Sequence, residues 1–315
     1  MFKCVIGIAL LASTPLAGAA AKATAPAPIV TILDGRATVI RALSQFEAAE
    51  GVRLQADDLV RTEKDSFLRI EYDDQTSLEL GPDTLVQLNY PSRKRANRPA
   101  LYLLSGWLKL GSGKSDAAPR ASLAAPGMDI TDVSGVFVVR LSDASHVMFD
   151  ERGTARWVDR STRNAQPITL KGGDFLVVDP DTPPRLQGRP AADFLEALPR
   201  PYRDTLPFRY DLLKSHLVAA KGQAAFTYTD VDRWLNAEPS ERRQFVTLWR
   251  RKADNPTFRA ALDRDLPMHP EWDPVLHPEK YEPKEEQAGP GVANPVPPPQ
   301  PVSSRHAEAE NPQTH

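Results

Sequence analysis

The chain holds a single cysteine among its 315 residues, Cys4. It lies in an N-terminal stretch that reads as a secretory signal. Lys3 supplies a short positive region, residues 5–11 an apolar core, and Pro15 with Ala17-Gly18-Ala19 a small-residue cleavage site. Cleavage after Ala19 or Ala21 is expected, so residues 1–21 form a signal peptide and the mature chain carries no thiol. Disulfides are thereby excluded, and a protein exported to an oxidising compartment must hold together by packing alone. The sequence also lacks a long hydrophobic run. The segment 5–11 is too short to cross a bilayer as a helix, and no later stretch is long enough. Charge of one sign is missing as well: 39 Lys and Arg against 41 Asp and Glu give a formal net charge of -2, which argues against a nucleic-acid partner.

Catalytic signatures are equally scarce. No Gly-x-Ser-x-Gly nucleophile elbow occurs. Gly111-Ser112-Gly113-Lys114-Ser115 suggests a phosphate loop, but Leu108 stands where the first glycine is required and Pro119 spoils the following helix start. Asp57-Asp58 and Asp73-Asp74 could supply acid–base carboxylates, although their place in turns accounts for them more simply. His269, Glu271, Asp273 and His277 are chemically competent metal ligands. They lack helical spacing and are separated by prolines, so a proline-fixed turn anchored by Trp272 is the plainer reading. Neither an enzyme nor a cofactor nor a metal site is expected.

What the chain does contain is alternation. In residues 56–88, Ile70 and Tyr72 share one face while Arg69, Glu71 and Asp73 take the other. Asp73-Asp74-Gln75-Thr76 breaks the pattern, Leu78 and Leu80 resume it, Gly81-Pro82-Asp83 breaks it again, and Val86 and Leu88 restart it. Period-two alternation marks strands with one buried face, and the spacing predicts a β-meander. Residues 29–33 and 37–40 flank Asp34-Gly35-Arg36 and read as an opening hairpin. Residues 101–110 read as a strand pair or one bent strand, and residues 135–141, 146–149, 155–158, 168–170 and 175–178 continue the β pattern.

These motifs resemble those of the FecR domain, an all-β module of Gram-negative cell envelopes. The resemblance rests on Asp57-Asp58-Leu59-Val60-Arg61-Thr62, the turn Asp73-Asp74-Gln75-Thr76-Ser77-Leu78, Leu80-Gly81-Pro82-Asp83-Thr84, Ala125-Pro126, residues 133–139 and Leu170-Lys171-Gly172-Gly173-Asp174. It covers residues 30–178, about half of the chain. Asp57 and Gln75 stand where the family favours glycine. The resemblance implies a stacked β-roll or β-helix-like domain over residues 28–180. Signal-transducing members look like anti-sigma regulators with a cytosolic helical segment and a transmembrane helix ahead of the β domain. Neither is read in this sequence, so the β domain is expected without the transcriptional output.

After Pro180 the period changes. A short helix is expected at residues 193–198 and a longer one at 208–221. Asp230 is read as the cap of a helix at 231–235, and Ser240 as the start of one at 241–253. Asn255-Pro256 opens a last helix as N-cap and first residue. Phe245, Leu248 and Trp249 form one apolar stripe. Residues 190–278 therefore read as a small helical appendix in which Trp234, Trp249 and Phe258 pack together or onto the β domain. Residues 282–315 are rich in Pro, Glu, Gln, Ser and Ala and read as a disordered, Pro-rich tail, with Pro297-Pro298-Pro299 favouring polyproline II.

The functional expectation is an exported, non-enzymatic binding or scaffold protein of the periplasm that contacts an envelope protein, by strand edges or loops. The alternative is a module that holds peptidoglycan or polysaccharide, with exposed aromatics such as Trp107 or Tyr90 beside a basic loop. The candidate binding residues are Arg93, Lys94, Arg95 and Arg98 in that loop, together with Trp107. Arg250-Arg251-Lys252 is explained by the dipole at a helix C-terminus.

Overall fold

The computed structural model describes residues 27–89, 100–113 and 121–281. Residues 1–26, 90–99, 114–120 and 282–315 lie outside these. The fold class is as read: mainly β, with helices towards the C-terminal end. The fifteen strands are β1 (Ile29–Asp34), β2 (Ala37–Arg41), β3 (Ser44–Glu47), β4 (Leu59–Thr62), β5 (Phe67–Glu71), β6 (Ser77–Leu80), β7 (Leu85–Leu88), β8 (Leu101–Gly111), β9 (Ala121–Ala125), β10 (Met128–Leu141), β11 (His146–Asp159), β12 (Ile168–Lys171), β13 (Phe175–Val178), β14 (Arg185–Gln187) and β15 (Lys221–Ala225). The main path runs β14-β13-β11-β10-β9-β8-β7-β4-β2-β3-β15. Among the described residues the ladders between named strands are antiparallel, except β8 with β9.

The sheet curls around one apolar core. Val30, Val39, Val60, Leu68, Leu78, Val86, Leu103, Leu123, Ile130, Val139, Met148, Leu170 and Leu176 all point into it, which is what period-two alternation requires of strands rolled around a common interior.

Two readings of local pairing change. Residues 29–40 are not a hairpin: β1 pairs with β5, whereas β2 pairs with β3 and β4. The corner is fixed at Gly35, with φ of +83°, where an added Cβ would sit 2.5 Å from Ser66 Oγ, and Arg36 N–H donates to that hydroxyl. The meander also fails after its first hairpin. β5 and β6 pair, but β6 and β7 separate and bind opposite halves of β8. Gly106 bends β8 between those halves. Its φ is +96°, and a Cβ there would lie 2.4 Å from Thr84 Cα, so only glycine lets the two strands approach.

Both outer faces of the roll are covered by the chain's own C-terminal part. Helices α1 (Ala192–Ala197), α2 (Tyr210–Leu213), α3 (Tyr228–Leu235), α4 (Pro239–Leu248), α5 (Pro256–Arg264) and α6 (Asp273–Leu276) supply the cover. The last four, with the turns beside them, present Trp234, Phe245, Trp249, Phe258, Leu262, Trp272 and Leu276 to Ile40, Leu59, Leu85 and Tyr102, so the expected packing of the helical aromatics holds. On the other face Phe194 and Tyr202 close over Phe67, Val138, Val147 and Phe175.

The expected long helix at 208–221 is reduced to the single turn of α2. Leu212 C=O meets Ser215 Oγ and the His216 ring, and Val218 N–H donates to Gly51 C=O. That pairing draws the chain out and leads it into β15. Helix starts differ too. Thr227 stands at the N-cap of α3, its N–H and hydroxyl both donating to Asp230 Oδ2 at 2.7 Å, and Pro239 is the first residue of α4. Asn255 caps α5 as read, accepting from Phe258 N–H at 3.0 Å.

Candidate functional site

Of the sequence-based site residues, Arg93, Lys94, Arg95 and Arg98 lie outside the described residues, as does Tyr90. Trp107 is half-buried. Its ring packs 5.6 Å from Phe194 and 6.4 Å from Tyr202, and Arg140 lies over it at 5.1 Å. The acidic pairs serve turns and packing. Asp58 is fully buried, accepts from Arg41 Nε and Nη2, and holds Gln55 N–H. Asp74 Oδ1 accepts from Thr76 N–H in an Asx turn. His269 is buried with Nε2 on Leu262 C=O and Nδ1 on Asn236, while His277 meets Asp263 at 2.8 Å. Among the described residues no group of three or more potential ligands converges as a metal site.

A charged cluster that the alternation pattern would place in solvent is instead buried. Arg69 Nε donates to Glu71 Oε1 and Arg69 Nη1 to Glu79 Oε1, each at 2.7 Å. Glu71 Oε2 accepts the backbone N–H groups of Arg209 and Tyr210 at 2.7 and 2.8 Å, and Tyr202 Oη donates to Glu79 C=O and Trp107 C=O. Burial is the largest influence on Glu79 and raises its pKa against the pull of Arg69. The segment 191–213 thus straps this face through charge as well as through Phe194 and Tyr202.

A cleft of about 400 Å³ opens between the β10–β11 turn and α3. Ser105, Asp143 and His146 line it, a set that invites comparison with a hydrolytic triad. Ser105 Oγ and His146 Nδ1 are both buried without a hydrogen-bond partner, so no nucleophile–base relay is formed. Burial lowers the pKa of His146.

Open surface remains at both ends of the sheet path, at β14 and at β15, and the β15 end adjoins a groove. All five residues of β15 are exposed, and among the described residues it pairs on one side only, with β3. A bulge between Lys221 and Ala224 precedes Ala224 and Ala225, whose small side chains allow close approach by another backbone. Leu212 and Leu217, 60% and 44% exposed, lie just upstream in the chain. From Ala225 the edge runs directly into a groove of about 1040 Å³ lined by Phe226, Tyr228, Lys252, Thr257, Phe258 and Arg264. Phe258 stands edge-on to Phe226 and Tyr228, at 6.1 and 5.9 Å. Lys252 Nζ sits over Phe226 at 4.1 Å and donates to its carbonyl, and burial lowers its pKa. Lys252 therefore belongs to the groove; the helix-dipole account does not apply, because residues 250–254 form a separate 3-10 turn after α4. Sequence reasoning missed this site. Its signal would have been the run of small and polar residues 221–225, too apolar-poor for a core strand, placed just before Phe226-Thr227-Tyr228.

The fold is a rolled antiparallel sheet whose two outer faces are closed by its own C-terminal segments, leaving sheet edges for contact. Residues 58–148, from β4 into β11, match the family model described as FecR protein, which bears out the resemblance over that stretch. Two crystal structures of candidate anti-sigma factors from Parabacteroides distasonis are similar at 12% and 10% identity. They align with 44% and 42% of this chain, and the chain covers 64% and 59% of theirs, under two thirds in each case, with TM-scores of 0.36 and 0.35. Comparison with curated proteins gives no match.

Proposed function

We propose that this is an exported, non-enzymatic protein of the periplasm that acts by protein contact in a regulatory or scaffolding role, receiving an extended segment of a partner along β15 and its aromatic groove. The observation that carries the reading is the free edge of β15, five exposed residues ending in a groove walled by aromatic rings. Both faces of the FecR-matching sheet are already covered by residues 191–281, so edges and loops are what a partner can reach. Strand addition supplies affinity through main-chain hydrogen bonds, and the groove supplies selectivity through side chains. The signal-like N-terminus supports the periplasmic location.

The peptidoglycan or polysaccharide alternative requires exposed aromatic platforms. Trp107 has its ring engaged by Phe194, Tyr202 and Arg140, which favours the protein-contact reading. A photo-crosslinking residue in place of Gln223 in the cell, compared with one in place of Arg95, tests it. A discrete protein adduct at Gln223 is expected. Adducts confined to position 95, or co-sedimentation with peptidoglycan that is lost when Arg93, Lys94, Arg95 and Arg98 are neutralised, would overturn it.

A further inference from the structure

The cleft between the β10–β11 turn and α3 forms no hydrolytic relay, yet its polar groups are unmatched in one consistent sense. Gly106 pairs with Leu141, and Leu141 with His146, so Ser105 and His146 stand on either side of the end of β10. Ser105 is only 8% exposed, and neither its Oγ nor His146 Nδ1 has a hydrogen-bond partner. Both atoms can accept a hydrogen bond, and a buried polar atom left unmatched is costly. Two carboxylates line the same cleft, Asp143 in the turn and Asp232 in the last turn of α3. Among the described residues neither is in a salt bridge; Asp232 accepts the backbone N–H of Arg233. The third carboxylate, Glu238, is already engaged by Tyr102, Arg160 and Gly127 N–H. The C-terminal end of α3 adds the negative pole of its dipole. Leu104, Pro126 and Leu141 supply apolar wall.

We infer that this cleft binds an alkylammonium group, the charged end of a lysine side chain or of a small primary amine. Its methylenes lie against Leu104, Pro126 and Leu141, and its nitrogen is held by Asp143 and Asp232 towards the unmatched acceptors. An ammonium brings three donors and no acceptor, which is the complement of this set. A carboxylate or phosphate would meet two carboxylates and the negative end of a helix. Arg233 is the only Lys or Arg among the lining residues. It is exposed and in no salt bridge among the described residues, and the two carboxylates outweigh it. Burial moves the pKa of His146 down, away from the charged ring that would repel a cation. The site is separate from β15, and the inference does not depend on the reading of that edge.

Chemical-shift titration of the full chain tests it, with n-butylammonium, its neutral isostere n-butanol, and Nα-acetyl-lysine methylamide as probes. n-Butylammonium should bind saturably, with the largest shifts at Ser105, Asp143, His146 and Asp232, and about tenfold more tightly than n-butanol. Asp143→Asn combined with Asp232→Asn should weaken it about tenfold. Arg233→Gln should tighten it about two- to fivefold, because a like charge is removed. Asp143 is exposed and Asp232 half-buried, and a thermal melt of each variant checks that the fold is kept. The comparison of n-butylammonium with n-butanol needs no variant, so the inference stays open to refutation even if one unfolds. Equal binding of the two probes, absence of saturable binding, or binding unmoved by the paired Asp substitutions would overturn it. Weaker binding in Arg233→Gln would do the same. Capped lysine bound as tightly as n-butylammonium supports the inference with a protein side chain as the occupant. Capped lysine bound about tenfold more weakly supports it with a free amine instead.

Discussion

The two outer faces of the roll are closed by one contiguous C-terminal segment, one by apolar packing and the other by apolar packing joined to a buried charge cluster. On one face Trp234, Phe245 and Trp249 lie over Ile40, Leu59 and Leu85, with Phe245 stacked on Trp249 at 4.3 Å. Among its polar groups Gln87 and Gln244 exchange hydrogen bonds and Glu238 accepts from Tyr102, Arg160 and Gly127 N–H, while Trp249 Nε1 is buried without a partner. On the other face the strap is fixed by Glu71, which accepts two backbone N–H groups and the Arg69 guanidinium. Apolar contacts are forgiving of small shifts. A buried carboxylate with three donors is not, because losing one partner leaves the others desolvated and unmatched. The helical cover is therefore held by area and the strap by geometry.

The sharpest way to break that contrast is Glu71→Ala, which leaves Arg69 buried with one fewer carboxylate and orphans the N–H groups of Arg209 and Tyr210. A loss of about 3–5 kcal/mol in denaturant unfolding is expected. Protease cleavage should first appear between residues 198 and 213, and a loss under 1 kcal/mol would show that the strap is held by Phe194 and Tyr202 alone. Trp234→Ala should cost a similar or slightly smaller amount, about 3–5 kcal/mol, with protection lost in α3 to α6 and the strap intact. Simultaneous loosening of both covers in either variant would contradict their independence.

Asp150 sharpens the comparison from inside the sheet. It is fully buried, neither carboxylate oxygen has a hydrogen-bond partner, and burial first and Asp174 second push its pKa up to about 6. The native state therefore keeps a proton that the unfolded chain releases near pH 3.9. Between these values the unfolded chain binds fewer protons, so stability falls as pH rises from about 4 to about 6 and is fully reduced above that, by about 3 kcal/mol. Asp150→Asn should flatten this part of the pH–stability curve and raise stability at pH 7.5; an unchanged curve would mean that Asp150 is solvated in solution. The smallest effect is at Gln75, held at φ of +68°. Gln75→Gly should raise stability by up to about 1 kcal/mol, measured as a shift of the unfolding midpoint without a change in slope. A decrease would mean that the Gln75 side chain makes a stabilising contact.

Much of the β part was legible because its rules are local. Alternation marked the strands, and Asp57 and Gln75 stand at positions with φ of +68° where the family favours glycine, so the turn shape survives without it. Pairing partners were less legible. Gly35 and Gly106 look like ordinary turn and strand glycines in sequence, and only the approach of Ser66 and Thr84 shows that they redirect strands between layers. The polar side of β5 could not be read as buried, since alternation says which residues share a face and not what covers it. The candidate site was hidden for a related reason: β15 is exposed on both sides, so Lys221-Gly222-Gln223-Ala224-Ala225 carries no apolar signal and merges with a helical pattern upstream.

The sequence by itself determined a mainly β chain with helices after Pro180, because periods of two and 3.6 are written in neighbouring residues. It also determined the FecR-type stretch and the compositional break at residue 282. Only the tertiary structure decided that the polar faces of β5 and β6 are sealed by a strap, that Trp107 is spent on packing, and that the free edge of β15 opens into an aromatic groove. Those outcomes depend on contacts between residues distant in the sequence, such as Glu71 with Arg209 and Trp107 with Phe194, and the free energy of such contacts is set by what the fold brings to a face.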